Sequence, residues 1–197
     1  MTKSYPEVQL DALREIANIG SGTAATALSL MLGQPVNISV PVALALPIAD
    51  VVDASGPADE VVTAVVLPLI GDLEATALLL FAPQDAAALC GLLGVEADSD
   101  EGRSALSEIG NILGCAYIGA LTVMTGLALE PKPPEMTTDM LAAIVSSVLA
   151  TGAEDSDIAL LLDSALTVEG AECSLTFMLA PGKDGVAEIL SRLGLEV

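Results

Sequence analysis

Two short sets of polar residues recur in this chain at helical spacing. Asp11, Glu15 and Asn18 stand at i, i+4 and i+7, and Ser104, Glu108 and Asn111 repeat the pattern 93 positions later. On a helix, residues so spaced stack on one face within two turns. A polar helix face is ordinarily just a solvated one. Asn, however, is a weak helix former, costing roughly 0.7 kcal/mol relative to Ala, and it occupies the same mid-helix position both times. A carboxamide offers a donor and an acceptor without changing protonation state, so it can hold a water in line with a phosphorus atom. Positioning and electrostatics carry most of the catalysis in phosphoryl transfer. The neighbouring Glu would repel phosphate, and is suited instead to pair with a cation on the protein that brings the phosphoryl group. Metal and base are then expected from that partner.

Composition removes most competing chemistries. With no histidine in the chain, His-based acid–base catalysis and most transition-metal sites are excluded. Cys90, Cys115 and Cys173 form no CxxC pair and are odd in number, which signals neither a disulfide framework nor a zinc site and reads as buried structural thiols. The net charge of −21 argues against nucleic acid, because Lys3, Arg14, Arg103, Lys132, Lys183 and Arg192 are scattered singly and build no basic patch. Acidic residues recur in nearly every hydrophilic stretch, which suggests adaptation to a salt-rich cytoplasm, where self-repulsion is screened within about 3 Å at 1 M salt. The opening MTKSYPEVQL carries no apolar signal core, so a cytoplasmic location is expected. Uncharged runs over 16–49 and 109–129 are long enough to cross a bilayer. Both contain Asn, Thr and Gly, the first also holds Ser residues and Pro35, Pro41 and Pro47, and neither has an aromatic belt or a Lys/Arg flank, so no membrane insertion is expected.

The elements that must position the two triplets are themselves duplicated. At the same offset Leu13 matches Leu106, Ile16 matches Ile109, Leu28 matches Leu121, Met31 matches Met124 and Gly33 matches Gly126. The repeats run over about 4–97 and 98–197, with roughly five extra residues in the second, between Pro134 and Leu160. Two copies are too few for a solenoid, so the halves are expected to share one sheet and core about a pseudo-two-fold axis. Ser4-x-x-Glu7 and Asp98-x-x-Glu101 read as capping boxes opening the long helices. The first helix carries Leu10, Leu13, Ile16, Ala17, Ala24, Leu28 and Met31 at 3.6-type spacing to near Gly33, and its repeat runs from about Asp100 to Gly126. Gly20, Gly22, Ala24 and Ala25 permit close approach of another element. Strand signals follow at 36–45, 61–69 and 75–81, then at 127–129, 158–166 and 173–179, with turns at Gly71-Asp72 and Glu169-Gly170. Helices close the halves near 84–93 and 184–193, and 140–149 forms a fuller helix than its counterpart stub at 48–53. The fold class is therefore α/β: two duplicated α-β-α-β-β-α units sharing a six-strand sheet, with two long helices carrying the candidate sites.

Asp/Ser-x-x-x-Glu-x-x-Asn followed about twenty residues later by proline, at Asp11, Glu15, Asn18 and Pro41 and again at Ser104, Glu108, Asn111 and Pro134, resembles the CheC, CheX and FliY family of chemotaxis phosphatases. Two copies over this length, with no added flagellar-switch domain, look most like the CheC branch, and the likeness covers essentially the whole chain as a single CheC-like domain, 1–197. The resemblance implies hydrolysis of the aspartyl-phosphate of a CheY-type response regulator, which also supplies Mg²⁺, the chain itself carrying no cofactor. It further implies that Asn18 and Asn111 orient the attacking water, that Glu15 and Glu108 pair with the regulator's active-site lysine, and that Asp11 and Ser104 support the same surface. CheD, a receptor-modifying deamidase, is a partner the resemblance adds, with 140–149 as a candidate surface. The alternative reading is a non-catalytic adaptor that binds CheD or a response regulator. A structural role in the flagellar switch is a third.

Overall fold

Pro6 opens the first helix. Its carbonyl accepts from the N–H groups of Gln9 and Leu10 at 2.9 and 3.2 Å, and its ring sits where a missing N–H costs nothing. In the computed structural model, which describes residues 6–152, 158–168 and 171–196, the chain runs α1 (Glu7–Leu32), β1 (Val36–Ile38), β2 (Val42–Pro47), α2 (Val51–Ser55), β3 (Val61–Gly71), β4 (Ala75–Phe81), α3 (Pro83–Leu92), α4 (Asp100–Thr125), β5 (Leu129–Pro131), β6 (Glu135–Met140), α5 (Leu141–Gly152), β7 (Ile158–Val168), β8 (Ala171–Pro181) and α6 (Gly185–Arg192). Both long helices stop at a glycine in the left-handed region, Gly33 at φ 68° and Gly126 at φ 71°, a conformation that costs a residue without Cβ nothing.

The capping expectation needs correction at both ends. Ser4 lies outside the described residues and Pro6 holds the cap position of α1. At α4 the cap is Ser99, one residue past Asp98, and its hydroxyl accepts from the Gly102 N–H at 3.0 Å. The expected turn at Glu169-Gly170 also falls outside the described residues.

One mixed α/β architecture unites the two repeats. Among the described residues the sheet has eight strands in the order β1-β7-β8-β4-β3-β5, with β2 also paired to β7 and β6 also paired to β3. Every pairing is antiparallel. These strands occupy six lanes, because each outer lane is broken into two pieces: β1 and β2 lie end to end along β7, and β5 and β6 along β3. The expected strand over 36–45 is interrupted around Pro41, and the expected 127–129 strand begins at Leu129 and resumes as β6. Each repeat thus lends its outer lane to the other, since β7 takes strands from the first half and β3 takes strands from the second.

Side chains alternate across this sheet. On one face Val65, Leu67, Leu79, Phe81, Leu160, Leu162 and Phe177 pack under α1, α3, α4 and α6. On the other, Val62, Ala64, Leu78, Leu161 and Met178 pack against α5, whose Leu141, Ile144, Val145 and Val148 repeat at helical spacing. The stub α2 contributes Val51 to that second core, so the extra residues of the second repeat do form the fuller helix. By length and composition α4 could cross a membrane, but 56% of its most apolar window is buried within the fold, against the sheet and α1.

The helix pair is held by fitted contacts. Tyr117 of α4 lies against α1 at Gly20, where a Cβ would come within 2.5 Å of its ring and 3.0 Å of its Cα. Its hydroxyl meets the Ser21 hydroxyl at 3.0 Å in a buried pair, and its ring sits 4.7 Å from that of Phe177. Leu13 and Ile16 of α1 share a small apolar cavity of about 30 Å³ with Tyr117, Ile118 and Leu121. The N-terminal half of α1 therefore lies beside the C-terminal half of α4, and the helices run antiparallel. The cavity's apolar lining offers a water few hydrogen-bond partners.

Candidate functional site on two long helices

Burying one side of each long helix leaves the opposite side to the candidate residues. On α1, Leu13, Ile16, Ala17 and Gly20 are buried while Asp11, Glu15 and Asn18 are exposed. On α4, Leu106, Ile109, Gly110 and Leu113 are buried while Ser104 and Glu108 are exposed and Asn111 is half-buried. Each triplet is thus gathered on one open helical face. The two triplets remain separate: with Gly20 opposite Tyr117 and a 1.5 Å rise per residue, Asn18 and Asn111 are about 12 Å apart along the helix axes. The prolines that follow each motif lie at the outer lanes, Pro41 buried just before β2 and Pro134 half-buried just before β6.

The immediate surroundings of the triplets differ. Asp11 is ion-paired with Arg14, three residues on, and the other guanidinium nitrogen of Arg14 is 3.6 Å from Glu7. In the second repeat, Ser107 stands in place of Arg14 and the nearby Arg103 turns back to pair with Asp100 and to donate to the Asp98 carbonyl at 2.8 Å. Asn111 accepts a hydrogen bond from the Cys115 thiol at 3.5 Å. Burial pushes that thiol up from its ordinary pKa, and the Glu108 carboxylate adds to the effect.

Cys115 corrects the expectation that all three thiols are buried. Cys90 and Cys173 are buried, but Cys115 is exposed, because it follows Asn111 by four and Glu108 by seven and so belongs to the site's own face. That spacing was the available signal, and Asp11 with Arg14 at i and i+3 carried a similar one. Among the described residues no group of three or more His, Cys, Asp or Glu side chains is placed to hold a metal ion. What the arrangement offers is two carboxylate–carboxamide pairs on open helix faces.

The chain is similar to known proteins in both sequence and fold. The CheC-like family model matches residues 8–44, the stretch that contains α1 and its triplet. Over 95% of its length the chain is 32% identical to the CheY-P phosphatase CheC of Bacillus subtilis (strain 168), covering 95% of that protein. Among solved structures, Thermotoga maritima FliY superposes with a TM-score of 0.77 at 17% identity over 98% of both chains. A chain of the CheX–CheY–BeF₃–Mg²⁺ complex from Borrelia burgdorferi superposes with a TM-score of 0.50 at 16% identity, over 84% of this chain and 97% of that one. At such identities the two structures speak for the fold, while the curated relative carries the assignment: the chain belongs to the CheC-like family.

Proposed function

We propose that the protein hydrolyses the aspartyl-phosphate of a CheY-type response regulator in chemotaxis signalling, using two pseudo-equivalent sites. The observation that carries this reading is the recurrence of Glu and Asn at i and i+3 on the open faces of α1 and α4, in a chain 32% identical to a CheY-P phosphatase. Asn18 and Asn111 are the residues that would touch the reacting atoms. Each carboxamide holds one water against the phosphorus of the docked regulator, accepting from the water while its N–H₂ group reaches a phosphoryl oxygen. The water oxygen bonds to phosphorus, the bond from phosphorus to the aspartyl oxygen breaks with its electron pair going to the restored carboxylate, and the water's protons leave on inorganic phosphate. Glu15 and Glu108 pair with the regulator's active-site lysine and fix its register, a charge-assisted contact. Asp11 and Ser104 border the same surface. Mg²⁺ belongs to the regulator and neutralises the phosphoryl oxygens when bound there; no residue of this chain is assigned to hold it.

The deciding experiment follows phosphate loss from a ³²P-labelled response regulator of the same cell, with the protein purified in molar KCl because of its net charge of −21. The wild-type chain is expected to accelerate the loss. The Asn18→Ala, Asn111→Ala double variant, still folded by circular dichroism, is expected to leave the regulator at its own rate. A folded wild-type protein that binds the regulator without accelerating phosphate loss, even with CheD present, would instead be an adaptor.

A further inference from the structure

Cys115 lies on the α4 site face and the proposed chemistry leaves it unused. It is exposed and stands one turn beyond Asn111, with its sulfur 3.5 Å from the Asn111 carboxamide oxygen. A thiol is a weak donor and a carboxamide oxygen is an acceptor, so this contact distinguishes the two ends of an amide that could otherwise lie either way round. The donor stays in place at neutral pH, because partial desolvation of the sulfur beside the helix and the Glu108 carboxylate both favour the protonated thiol. Among the described residues no hydrogen bond is made by the Asn111 Nδ2 group, which therefore keeps both of its donors for a docked partner.

The first repeat lacks this device. The counterpart of Cys115, 93 positions earlier, is Gly22. Beyond its chain neighbours and the backbone of its own helix, nothing lies within 4 Å of where a Cβ would stand there, so Asn18 has no side-chain donor at that position and there is room to install one.

We propose that Cys115 is a positioning residue for Asn111: its S–H holds the carboxamide oxygen and presets the amide of the α4 site in one orientation, making that site faster per encounter than the α1 site. This rests on the reading of Asn111 as the residue that orients water. The contact is absent from the α1 site because Gly22 has no side chain.

The experiment isolates one site at a time. In an Asn18→Ala background only the α4 site works; there Cys115→Ala is expected to lower kcat roughly threefold, the worth of one weak hydrogen bond, with KM unchanged, while Cys115→Ser retains the rate. In the Asn111→Ala background, Gly22→Cys is expected to raise the kcat of the α1 site by a similar factor over Gly22→Ala, which controls for helix propensity. A second readout does not depend on activity: the ¹⁵N-resolved side-chain amide pair of Asn111 shifts and rotates faster in Cys115→Ala but not in Cys115→Ser. An amide pair indifferent to both substitutions overturns the proposal, as does a pair that moves while kcat in the Asn18→Ala background stays the same. A wild-type protein without any phosphatase activity is a different result, since it removes the parent reading and this role with it.

Discussion

The α1 and α4 sites are two copies of one idea, and they have diverged around their reacting pair rather than within it. Glu and Asn keep their places in both, on faces left open by the same burial pattern. Polar neighbours on the same faces have changed: Asp11 is tied to Arg14 where Ser104 has Ser107 at the same spacing, and Gly22 leaves open space where Cys115 touches Asn111. The seating of the helices differs as well. On α4 a Cβ at Gly110 would lie 2.6–2.7 Å from three atoms of the Val65 side chain, and one at Gly114 would lie 2.9 Å from Leu67. At the matching positions α1 carries Ala17, fully buried, and Ser21. Helix α4 is pressed onto the sheet, whereas the tightest fit of α1 is sideways onto α4 at Gly20. The lesson is that duplication preserves the chemistry at the surface while each copy solves its own packing beneath.

The largest effect expected from breaking this comparison is on stability. Gly110→Ala forces a methyl into the branched side chain of Val65 on a central strand, a clash toward the upper end of overpacking costs, about 3 kcal/mol. Alanine offsets about 1 kcal/mol of that as the better helix former, leaving a net loss of about 2 kcal/mol. The reciprocal change, Ala17→Gly, loses about 1 kcal/mol of helix propensity and about 0.8 kcal/mol for a buried methyl. Urea unfolding of the two variants measures both. They should be similarly destabilised for opposite reasons, so Gly110→Ser, larger again, should fall further than Gly110→Ala while Ala17→Ser falls less than Gly110→Ser. Neutral Gly110 substitutions would mean that α4 does not sit as close to β3 as described.

Much of the architecture was legible because its signals are local. Gly33 and Gly126 mark helix ends through a backbone conformation, the spacing of Leu13, Ile16, Ala17, Ala24 and Leu28 marks a buried stripe, and the duplication is visible at a constant offset. What was hidden is non-local or unburied. Strand β6, with the sequence EMTTDM, lies at an outer lane with almost every side chain exposed, so no alternation of apolar and polar residues announces it. The exchange of outer lanes between repeats depends on pairing partners far apart in sequence, β1 and β2 with β7 and β5 and β6 with β3, and no local propensity encodes that choice. The candidate residues were legible from their repetition. The partner of Asn111 was missed because cysteine is usually read as a buried residue, although its i+4 spacing placed it on the exposed face.

A smaller effect concerns recognition. If Glu15 and Glu108 each meet a lysine on the docked regulator, Glu→Gln keeps the shape and removes the charge. In the Asn111→Ala background Glu15→Gln should raise KM about tenfold, as befits a charge-assisted hydrogen bond, and leave kcat nearly alone. Glu108→Gln should do the same in the Asn18→Ala background. Steady-state turnover of an acyl-phosphate-charged regulator reads both. Equal losses in kcat instead would place the carboxylates in the chemical step, and an effect at only one helix would break the equivalence of the sites.

The smallest effect sharpens one charge difference between the two faces, Asp11 against Ser104. Asp11 precedes Asn18 by seven residues, about 10 Å along the helix, and its carboxylate is shared with Arg14. A phosphoryl group approaching Asn18 carries negative charge, so Asp11 opposes its approach at long range. The interaction spans about one Debye length at 0.1 M salt and more than three at 1 M. Asp11→Ser, with only the α1 site active, should therefore lower KM by about a factor of two at 0.1 M KCl and by nothing measurable at 1 M. Ser104→Asp, with only the α4 site active, should raise KM by a similar factor under the same conditions and be equally silent at high salt. Opposite signs that vanish together with salt would identify the difference as electrostatic. A change that persists at 1 M KCl would point to direct contact between these side chains and the regulator, so that Asp11 and Ser104 would belong to the docking surface and not merely border it.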